Sequence, residues 1–357
     1  MTTVARPGHI AHQFVFLDGM TGTGKTMMAP ILSTLARVEV QRIEHIYEYT
    51  CGLAHLGRLT PDGAQVLLRM YGDLAAYNVM IGRETNFRWK DLSGVLSNPG
   101  GWRYARRLFE SDGDAVVERI CREQPILQIV SHQVFGISAP MFEAFGDRLT
   151  VVEMVRHPLY LLRHWHSYIS RHGADPRDFT IWIDAGGEFV PWFAAGWEDA
   201  YLRANAMDKV IRCIERLTEL AGQALAALGD AGSRVLIVPF ERFVTNPEPY
   251  LARVEQQLRT TRTPATTREL RRQKVPRRLT TDGRDLDIYR RYNWQPPDRD
   301  ASEAAQLRKE WAFAAAEATP DGLARLEALC DRYEKGHLSE EPSLRTPDAG
   351  DEATGAA

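Results

Sequence analysis

One segment of this 357-residue chain has the residue types and spacing of a phosphate-binding loop. Gly19-Met-Thr-Gly-Thr-Gly-Lys-Thr26 matches the pattern G-x4-G-K-[ST] in full. The glycines let successive backbone N–H groups turn inward around a phosphate, and the lysine adds a positive charge. The hydroxyl of Thr26 can bind a phosphate oxygen or magnesium. We therefore predict that a nucleotide phosphate is held by Gly22, Thr23, Gly24, Lys25 and Thr26.

Two further candidates follow apolar runs. The apolar run Ile126–Val130 is followed by Ser131 and His132, and the run Leu149–Val155 is followed directly by Arg156. A guanidinium matches phosphate bidentately, and an imidazole can exchange a proton near neutral pH. This pair suits a ligand that carries additional anionic groups and a reaction in which a proton must be removed.

Four apolar runs predict the buried strands that position these residues: Phe14–Leu17, Ile126–Val130, Leu149–Val155 and Val235–Val238. Periodicity predicts helices that include Thr26–Val40, Trp197–Leu228 and Glu248–Leu258. Pro30 fits the first of these only if it lies in the first turn. Alternating strands and helices predict an α/β fold with three layers, a central mostly parallel sheet flanked by helices.

Charge is distributed unevenly along the chain. The net charge is −3, from 44 basic and 47 acidic residues, which argues against a general nucleic-acid binder. Segment 259–294 nevertheless holds eleven basic and four acidic residues, a net +7, which favours a local anionic ligand. We predict a flexible segment 1–12, one domain over 13–336 that closes with helices in 301–335, and a disordered acidic tail over 337–357.

The composition also argues against several other classes of protein. The four cysteines lie far apart, and His164 and His166 lack further ligands at usual metal spacing, so we predict no metal site. No apolar run is long enough to span a bilayer, and the first residues lack a signal-peptide core. The expectation is a cytoplasmic protein without a membrane span.

The order of these motifs resembles that of sulfotransferases that use 3′-phosphoadenosine 5′-phosphosulfate (PAPS), with this chain as a divergent, bacterial-type member. In that family a strand ends in a Lys-Thr-His-like triplet that carries the catalytic base, which Ile129-Val-Ser-His132 resembles. An Arg-x-Pro sequence then opens a helix that binds the 3′-phosphate of the donor, as Arg156-His-Pro158 would. The family also has a later strand, a Tyr-Glu-Asp-Leu-like phrase and an Asp/Asn-Pro before a helix, which Val235–Pro247 resembles. The resemblance spans about residues 14 to 280.

The resemblance implies a P-loop fold and a role for each candidate. His132 would be the base, Lys25 the cation at the leaving phosphate, and Arg156 the ligand of the 3′-phosphate. The basic segment that closes the donor site in many members would supply Lys274, Arg277 and Arg278. No metal would be required, and the acceptor would be a small molecule, carbohydrate or lipid with a hydroxyl or amine.

Three departures from the family pattern keep other functions open. The loop lysine stands three residues later than the family's basic residue, at Lys25, as in kinases that use Mg·ATP. The serine expected eight residues after Arg156 is replaced by His164, and the nearest serine is Ser167, so we expect His164 and Ser167 to assist in binding the donor. Val130 stands where the family often has lysine. The alternatives are a P-loop kinase acting on a small molecule and a non-catalytic nucleotide-binding protein.

The acceptor pocket is predicted from a cluster of charged and aromatic residues. In P-loop folds of this kind the region after the first helix often builds that pocket. We therefore predict acceptor contacts from Arg83, Phe87, Arg88 and Trp89, although a plain surface loop remains open.

Overall fold

The computed structural model describes residues 2–89, 91–172, 176, 178–287, 290 and 302–339. Most of the described residues are helical and surround a parallel five-stranded sheet, which confirms the predicted α/β class. The predicted tail beyond Ser339, and residues 291–294 of the basic segment, lie outside the described residues.

The strands form one large sheet and one hairpin. The large sheet has the order β2-β3-β1-β4-β7, and every neighbouring pair is parallel. Strands β5 and β6 form the antiparallel hairpin. The strands are β1 (Gln13–Asp18), β2 (Arg42–Ile43), β3 (Ile126–Val130), β4 (Leu149–Val155), β5 (Trp182–Asp184), β6 (Phe189–Pro191) and β7 (Val235–Pro239).

Fourteen α-helices are found among the described residues. Among these helices none combines the length and apolar character that a bilayer crossing requires. The helices are α1 (Lys25–Leu32), α2 (His45–His55), α3 (Pro61–Met80), α4 (Trp102–Arg107), α5 (Asp114–Glu123), α6 (Ala139–Phe145), α7 (Pro158–Ile169), α8 (Glu198–Arg203), α9 (Ala206–Ala227), α10 (Phe240–Thr245), α11 (Glu248–Leu258), α12 (Pro264–Arg272), α13 (Glu303–Ala315) and α14 (Pro320–Tyr333).

Both faces of the sheet carry apolar side chains, which explains why helices cover both faces. In β1, Phe14 and Phe16 belong to one apolar cluster, whereas Val15 and Leu17 belong to another. Successive side chains of a strand point to opposite faces, so both faces of β1 are apolar and both are buried. The continuous apolar runs of the sequence are therefore the signature of a sheet between two helical layers.

Helix α1 is shorter than the periodicity predicts. It ends at Leu32 rather than Val40, and Pro30 lies beyond its first turn, so both expectations were wrong. The chain leaves the helix because residues that follow it pair with the sheet: Val38 forms a bridge with Ile126, and the N–H of Glu39 donates to the same residue's carbonyl. Pairing at the edge of β3 outweighs the helical pattern.

The predicted helix Trp197–Leu228 is also wrong, because the chain forms two helices there. α8 ends at Arg203 and α9 begins at Ala206. Asn205 caps α9, with its side-chain oxygen accepting from the N–H of Asp208 at 2.7 Å. A cap residue satisfies backbone donors at a helix start, which fixes the break.

The carboxyl ends of the parallel strands meet at one edge of the sheet. β1 is followed by the glycine-rich loop, β3 by His132, β4 by Arg156 and β7 by Phe240. The four sequence motifs, far apart along the chain, are thereby brought to a common edge, which is where ligands bind in open α/β sheets.

Candidate active site

The glycine-rich loop adopts a backbone that other residues would strain. Gly19, Gly22 and Gly24 have φ values of 136°, 98° and 101°. A Cβ atom on Gly24 would lie 2.5 Å from the Phe240 ring, so the loop and this ring are packed without space for a side chain. Glycine is therefore required at this position by conformation and by contact.

Side chains from α7 and from the end of β4 hold the loop in place. The guanidinium of Arg156 donates to the Gly22 carbonyl at 2.8 Å, and the indole N–H of Trp165 donates to the Thr21 carbonyl at 3.0 Å. These two hydrogen bonds fix the loop backbone at Thr21 and Gly22.

Lys25 lies buried at the base of the loop. Its ammonium donates to the carbonyls of Gly19 and Met20. Burial lowers the pKa of Lys25, and the nearby carboxyls of Asp18 and Glu153 oppose that shift. Burial raises the pKa of Glu153, and the nearby Asp18 carboxyl raises it further. The Glu153 carboxyl therefore favours its neutral form.

A cavity of about 570 Å³ opens beside the loop, and we call it the cationic cavity. Among the described residues that line it, only one side chain is a carboxylate, Glu310, which pairs with Arg163 at 2.7 Å. Five basic side chains line it: Lys25, Arg156, Arg163, Arg277 and Lys309. This excess of positive charge is what a multiply anionic ligand requires.

Arg156 is held by aromatic rings as well as by its hydrogen bond to the loop. Its guanidinium carbon lies 4.3 Å from the centre of the Phe240 ring and 5.2 Å from that of Tyr160. Arg277 approaches the same Phe240 ring at 5.5 Å. The Nε atom of Arg156 is buried and has no hydrogen-bond partner within the described part of the chain. The stacked guanidinium is therefore held with donor capacity to spare.

A second cavity of about 260 Å³ adjoins the first, and we call it the aromatic cavity. Thr21 and His132 line both cavities. Its other walls contain the side chains of Arg171 and Asp178, and four aromatic side chains: Tyr49, Tyr168, Phe179 and Trp192. His132 thus lies between a cavity lined by five basic side chains and a cavity with four aromatic walls and several polar ones.

His132 is oriented by Glu48, a residue that the sequence did not single out. One Glu48 oxygen accepts from the backbone N–H of His132 at 3.0 Å and lies 2.9 Å from its Nδ1. The other oxygen lies 3.0 Å from Nδ1 of His45. Burial alone would raise the pKa of Glu48, but the hydrogen bonds from His132 and His45 lower it to about 2.

The ionised carboxylate fixes the tautomer of His132. Because an ionised Glu48 only accepts hydrogen bonds, Nδ1 of His132 carries the proton, and Nε2 keeps a lone pair. An imidazole in this state can accept a proton at Nε2, while the carboxylate stabilises the resulting positive charge.

His164 is a neutral imidazole on the cationic side. Burial, together with the charges of Lys25 and Arg156, lowers the pKa of His164 to about 3. It lies against the loop, since a Cβ on Gly22 would be 3.5 Å from its ring.

The structure brings together most of the residues predicted from the loop and strand ends. Those that line the cationic cavity are Gly22, Gly24, Lys25, Thr26, His132, Arg156, His164 and Arg277. Thr23 is buried, with its hydroxyl donating to the Met20 carbonyl, and Ser167 is buried away from both cavities. Lys274 pairs with Asp282 at 2.8 Å, and Arg278 lines neither cavity.

The residues predicted to contact an acceptor lie elsewhere. Arg83, Phe87, Arg88 and Trp89 line neither the cationic nor the aromatic cavity, and the Trp89 side chain is 75% exposed. The sequence reasoning instead missed Glu48 and the two residues from α13, Lys309 and Glu310. The spacing of His45 and Glu48, one turn apart on α2, was the available signal.

Comparison with known proteins gives structural likenesses only. No protein-family model and no curated protein matches the sequence. The chain is similar to the sulfotransferase domain of the olefin synthase of Synechococcus PCC 7002, at 14% identity and a TM-score of 0.40, over 90% of this chain and 100% of that one. It is similar to the sulfotransferase domain from the curacin biosynthetic pathway, at 11% identity and a TM-score of 0.44, over 90% and 97%. The chain is also similar to sulfotransferase STF9 from Mycobacterium avium, at 13% identity and a TM-score of 0.40. This likeness covers 92% of this chain and 77% of that one. Likenesses at this level identify no donor or acceptor, so function has to be argued from the two cavities.

Proposed function

We propose that this protein is a sulfotransferase that moves a sulfuryl group from PAPS to a hydroxyl or amine of a small acceptor. The observation that carries the proposal is the position of His132, which lines both cavities and is oriented by an ionised Glu48. A transfer between two ligands needs a base where they meet, and a residue that lines both cavities can supply it.

The cationic cavity suits the donor. When bound, the donor supplies a sulfuryl group activated by its link to a phosphate, and its adenosine carries a further 3′-phosphate. Five cations against one paired carboxylate match those charges. The buried Nε of Arg156 is a donor that can bind a phosphate oxygen, so we assign the 3′-phosphate to Arg156.

Lys25 and the loop act at the leaving phosphate. In the proposed complex, the Lys25 ammonium exchanges the carbonyls of Gly19 and Met20 for phosphate oxygens. The loop N–H groups and the start of α1 add partial positive charge at the same place. These groups stabilise the negative charge that builds up on the leaving group during transfer.

The aromatic cavity suits the acceptor. Its rings can hold an apolar body, while Arg171 and Asp178 offer a polar contact at its edge. His132 then takes the proton of the attacking hydroxyl or amine at Nε2, and Glu48 stabilises the imidazolium that forms. In this proposal the acceptor contacts come from α2, α7 and residues 178–181 instead of from residues 83–89.

A kinase that uses Mg·ATP is the second candidate, and the complete G-x4-G-K-T loop favours it. Such an enzyme uses a carboxylate near Thr26 to hold magnesium. The Asp18 carboxylate is engaged by Ser131 and by the N–H groups of Val134 and Phe135. Glu153 lines a separate cavity of about 130 Å³ behind the loop. Neither of these two carboxylates lines the cationic cavity, and Glu310, which does, is paired with Arg163, so the site favours sulfuryl over phosphoryl transfer.

A turnover assay decides between the two. The protein is incubated with PAPS in the presence of EDTA and a panel of a phenol, an aliphatic alcohol and an amine. We expect release of 3′-phosphoadenosine 5′-phosphate and a sulfated product detected by mass spectrometry. A phosphorylated product with Mg·ATP, and no product with PAPS, would overturn the proposal.

A further inference from the structure

Three side chains of the aromatic cavity form a compact group of metal-ligand types. They are His45 at the start of α2, Glu48 one turn later, and His132 after β3. One ligand atom of each lies within 4.8 Å of those of the other two. The two imidazole rings are nearly parallel, at 20°, with their centres 6.1 Å apart. The Glu48 carboxylate is held between them.

The distances within this group suit a single transition-metal ion. Two imidazole nitrogens and one carboxylate oxygen are a usual three-ligand set for zinc, at about 2.0–2.2 Å from the ion. Ligand atoms around one tetrahedral ion are thus about 3.3 Å apart. The Glu48 oxygens already lie 2.9 and 3.0 Å from the two Nδ1 atoms, so small side-chain movements complete the set.

The group can be reached from solvent. The side chains of His45 and His132 are 36% and 32% exposed, and that of Glu48 is 16% exposed. All three line the aromatic cavity, so a fourth ligand such as water has space on that side. An open fourth position distinguishes such a site from a closed structural zinc site.

We propose that His45, Glu48 and His132 form a zinc site whose occupation reversibly inhibits the enzyme. For zinc to bind Nδ1 of His132, the ring proton has to leave Nδ1 and move to Nε2, which frees the Nδ1 lone pair for the metal. An imidazole protonated at Nε2 cannot accept the acceptor's proton, and transfer stops while the donor still binds. The inhibitory part rests on the proposed function, whereas metal binding at the site does not.

The direct test uses cobalt as a spectroscopic probe for this site. Co²⁺ is titrated into the full chain, and four-coordinate cobalt gives visible absorption bands. We expect one equivalent to bind, Zn²⁺ to displace it, and affinity to fall by more than about tenfold in His45→Ala and in Glu48→Gln. The melting temperature of each variant, measured in parallel, establishes that it is folded.

Matched controls separate this site from adventitious binding. His166 and Glu317 form another histidine–glutamate pair at 3.0 Å, and Cys121 is an exposed thiol. His166→Ala and Cys121→Ser should leave the cobalt spectrum and affinity unchanged. Absence of the four-coordinate bands, or equal binding by wild type and both folded site variants, would overturn the proposal.

Inhibition is measured separately from binding. Zn²⁺ should reduce turnover of PAPS at the occupancy given by the titration, EDTA should restore it, and calorimetric affinity for 3′-phosphoadenosine 5′-phosphate should stay the same. Full turnover at saturating Zn²⁺ would refute the inhibitory role. If no acceptor is sulfated, the proposed function fails, but the cobalt titration still decides whether the metal site exists.

Discussion

The two cavities that meet at His132 differ in how they would recognise a ligand. The cationic cavity gathers five basic side chains from a loop, two strand-following helices and the α12–α13 region, so charge defines it. The aromatic cavity is less than half as large, and its walls combine four aromatic rings with polar and charged side chains that include Arg171 and Asp178. Charge recognises phosphates and sulfates whatever they are attached to, whereas apolar walls select by shape. In the proposed function, the cationic cavity would therefore bind the anionic donor, and the aromatic cavity would determine which acceptor is used.

The largest expected effect comes from the residue that the cavities share. His132→Ala should lower turnover by about 10²- to 10⁴-fold, because it removes the base, and should change bisphosphate affinity little. Steady-state kinetics and calorimetry measure the two quantities, with His166→Ala as the matched histidine control. Unchanged activity in His132→Ala would favour the non-catalytic, nucleotide-binding alternative.

A change confined to the cationic cavity should affect the donor alone. Arg156→Ala should weaken binding of 3′-phosphoadenosine 5′-phosphate by about 30-fold or more, because a stacked, partly buried cation is lost. Binding of adenosine 5′-phosphate, which lacks the 3′-phosphate, should change far less. Calorimetry with both ligands checks this, and equal losses would remove the role assigned to Arg156.

A change confined to the aromatic cavity should affect the acceptor alone. The Phe179 ring is 60% exposed, so its truncation should spare the fold. Phe179→Ala should raise the acceptor KM by about 5- to 30-fold, as expected for loss of about 1–2 kcal/mol of apolar contact. Phe189, which is 62% exposed and lines neither cavity, provides the control Phe189→Ala. If Phe179→Ala also raised the Kd for 3′-phosphoadenosine 5′-phosphate, this would contradict the assignment of donor and acceptor to different cavities.

The smallest expected effect is a proton linkage on the donor side. The pKa of His164 is lowered to about 3, so the ring is neutral before an anion binds. A bound anion favours the charged ring and raises this pKa, so binding takes up protons and strengthens as pH falls. We expect His164→Asn to reduce proton uptake, measured by calorimetry in buffers of different ionisation enthalpy. Identical uptake by wild type and variant would place His164 away from the anion.

Local patterns in the sequence predicted four of the five strands of the large sheet, but not β2, and the residues at the cationic side of the site. Four apolar runs became β1, β3, β4 and β7, and α11 has the predicted bounds Glu248–Leu258. These succeed because a strand buried on both faces and an amphipathic helix are determined by nearby residues. The positions that follow each strand then meet at one edge by topology alone.

The features that the sequence did not predict depend on contacts between residues that are far apart in the chain. Glu48 lies 84 residues from His132, and Glu310 lies 147 residues from Arg163, so no local pattern joins them. α1 ends early because Val38 pairs with Ile126, a contact that helical periodicity does not report. Residues 83–89 look like a binding loop by composition, yet composition cannot show which cavity a loop faces.

In the proposed function, the cationic cavity takes a 3′-phosphorylated nucleotide rather than Mg·ATP. Calorimetric titration of the full chain with 3′-phosphoadenosine 5′-phosphate and with ADP, each with and without Mg²⁺, tests it directly. We expect tight binding of the bisphosphate that does not depend on Mg²⁺, and weaker binding of ADP. Tight binding of ADP only with Mg²⁺, together with no binding of the bisphosphate, would contradict the account.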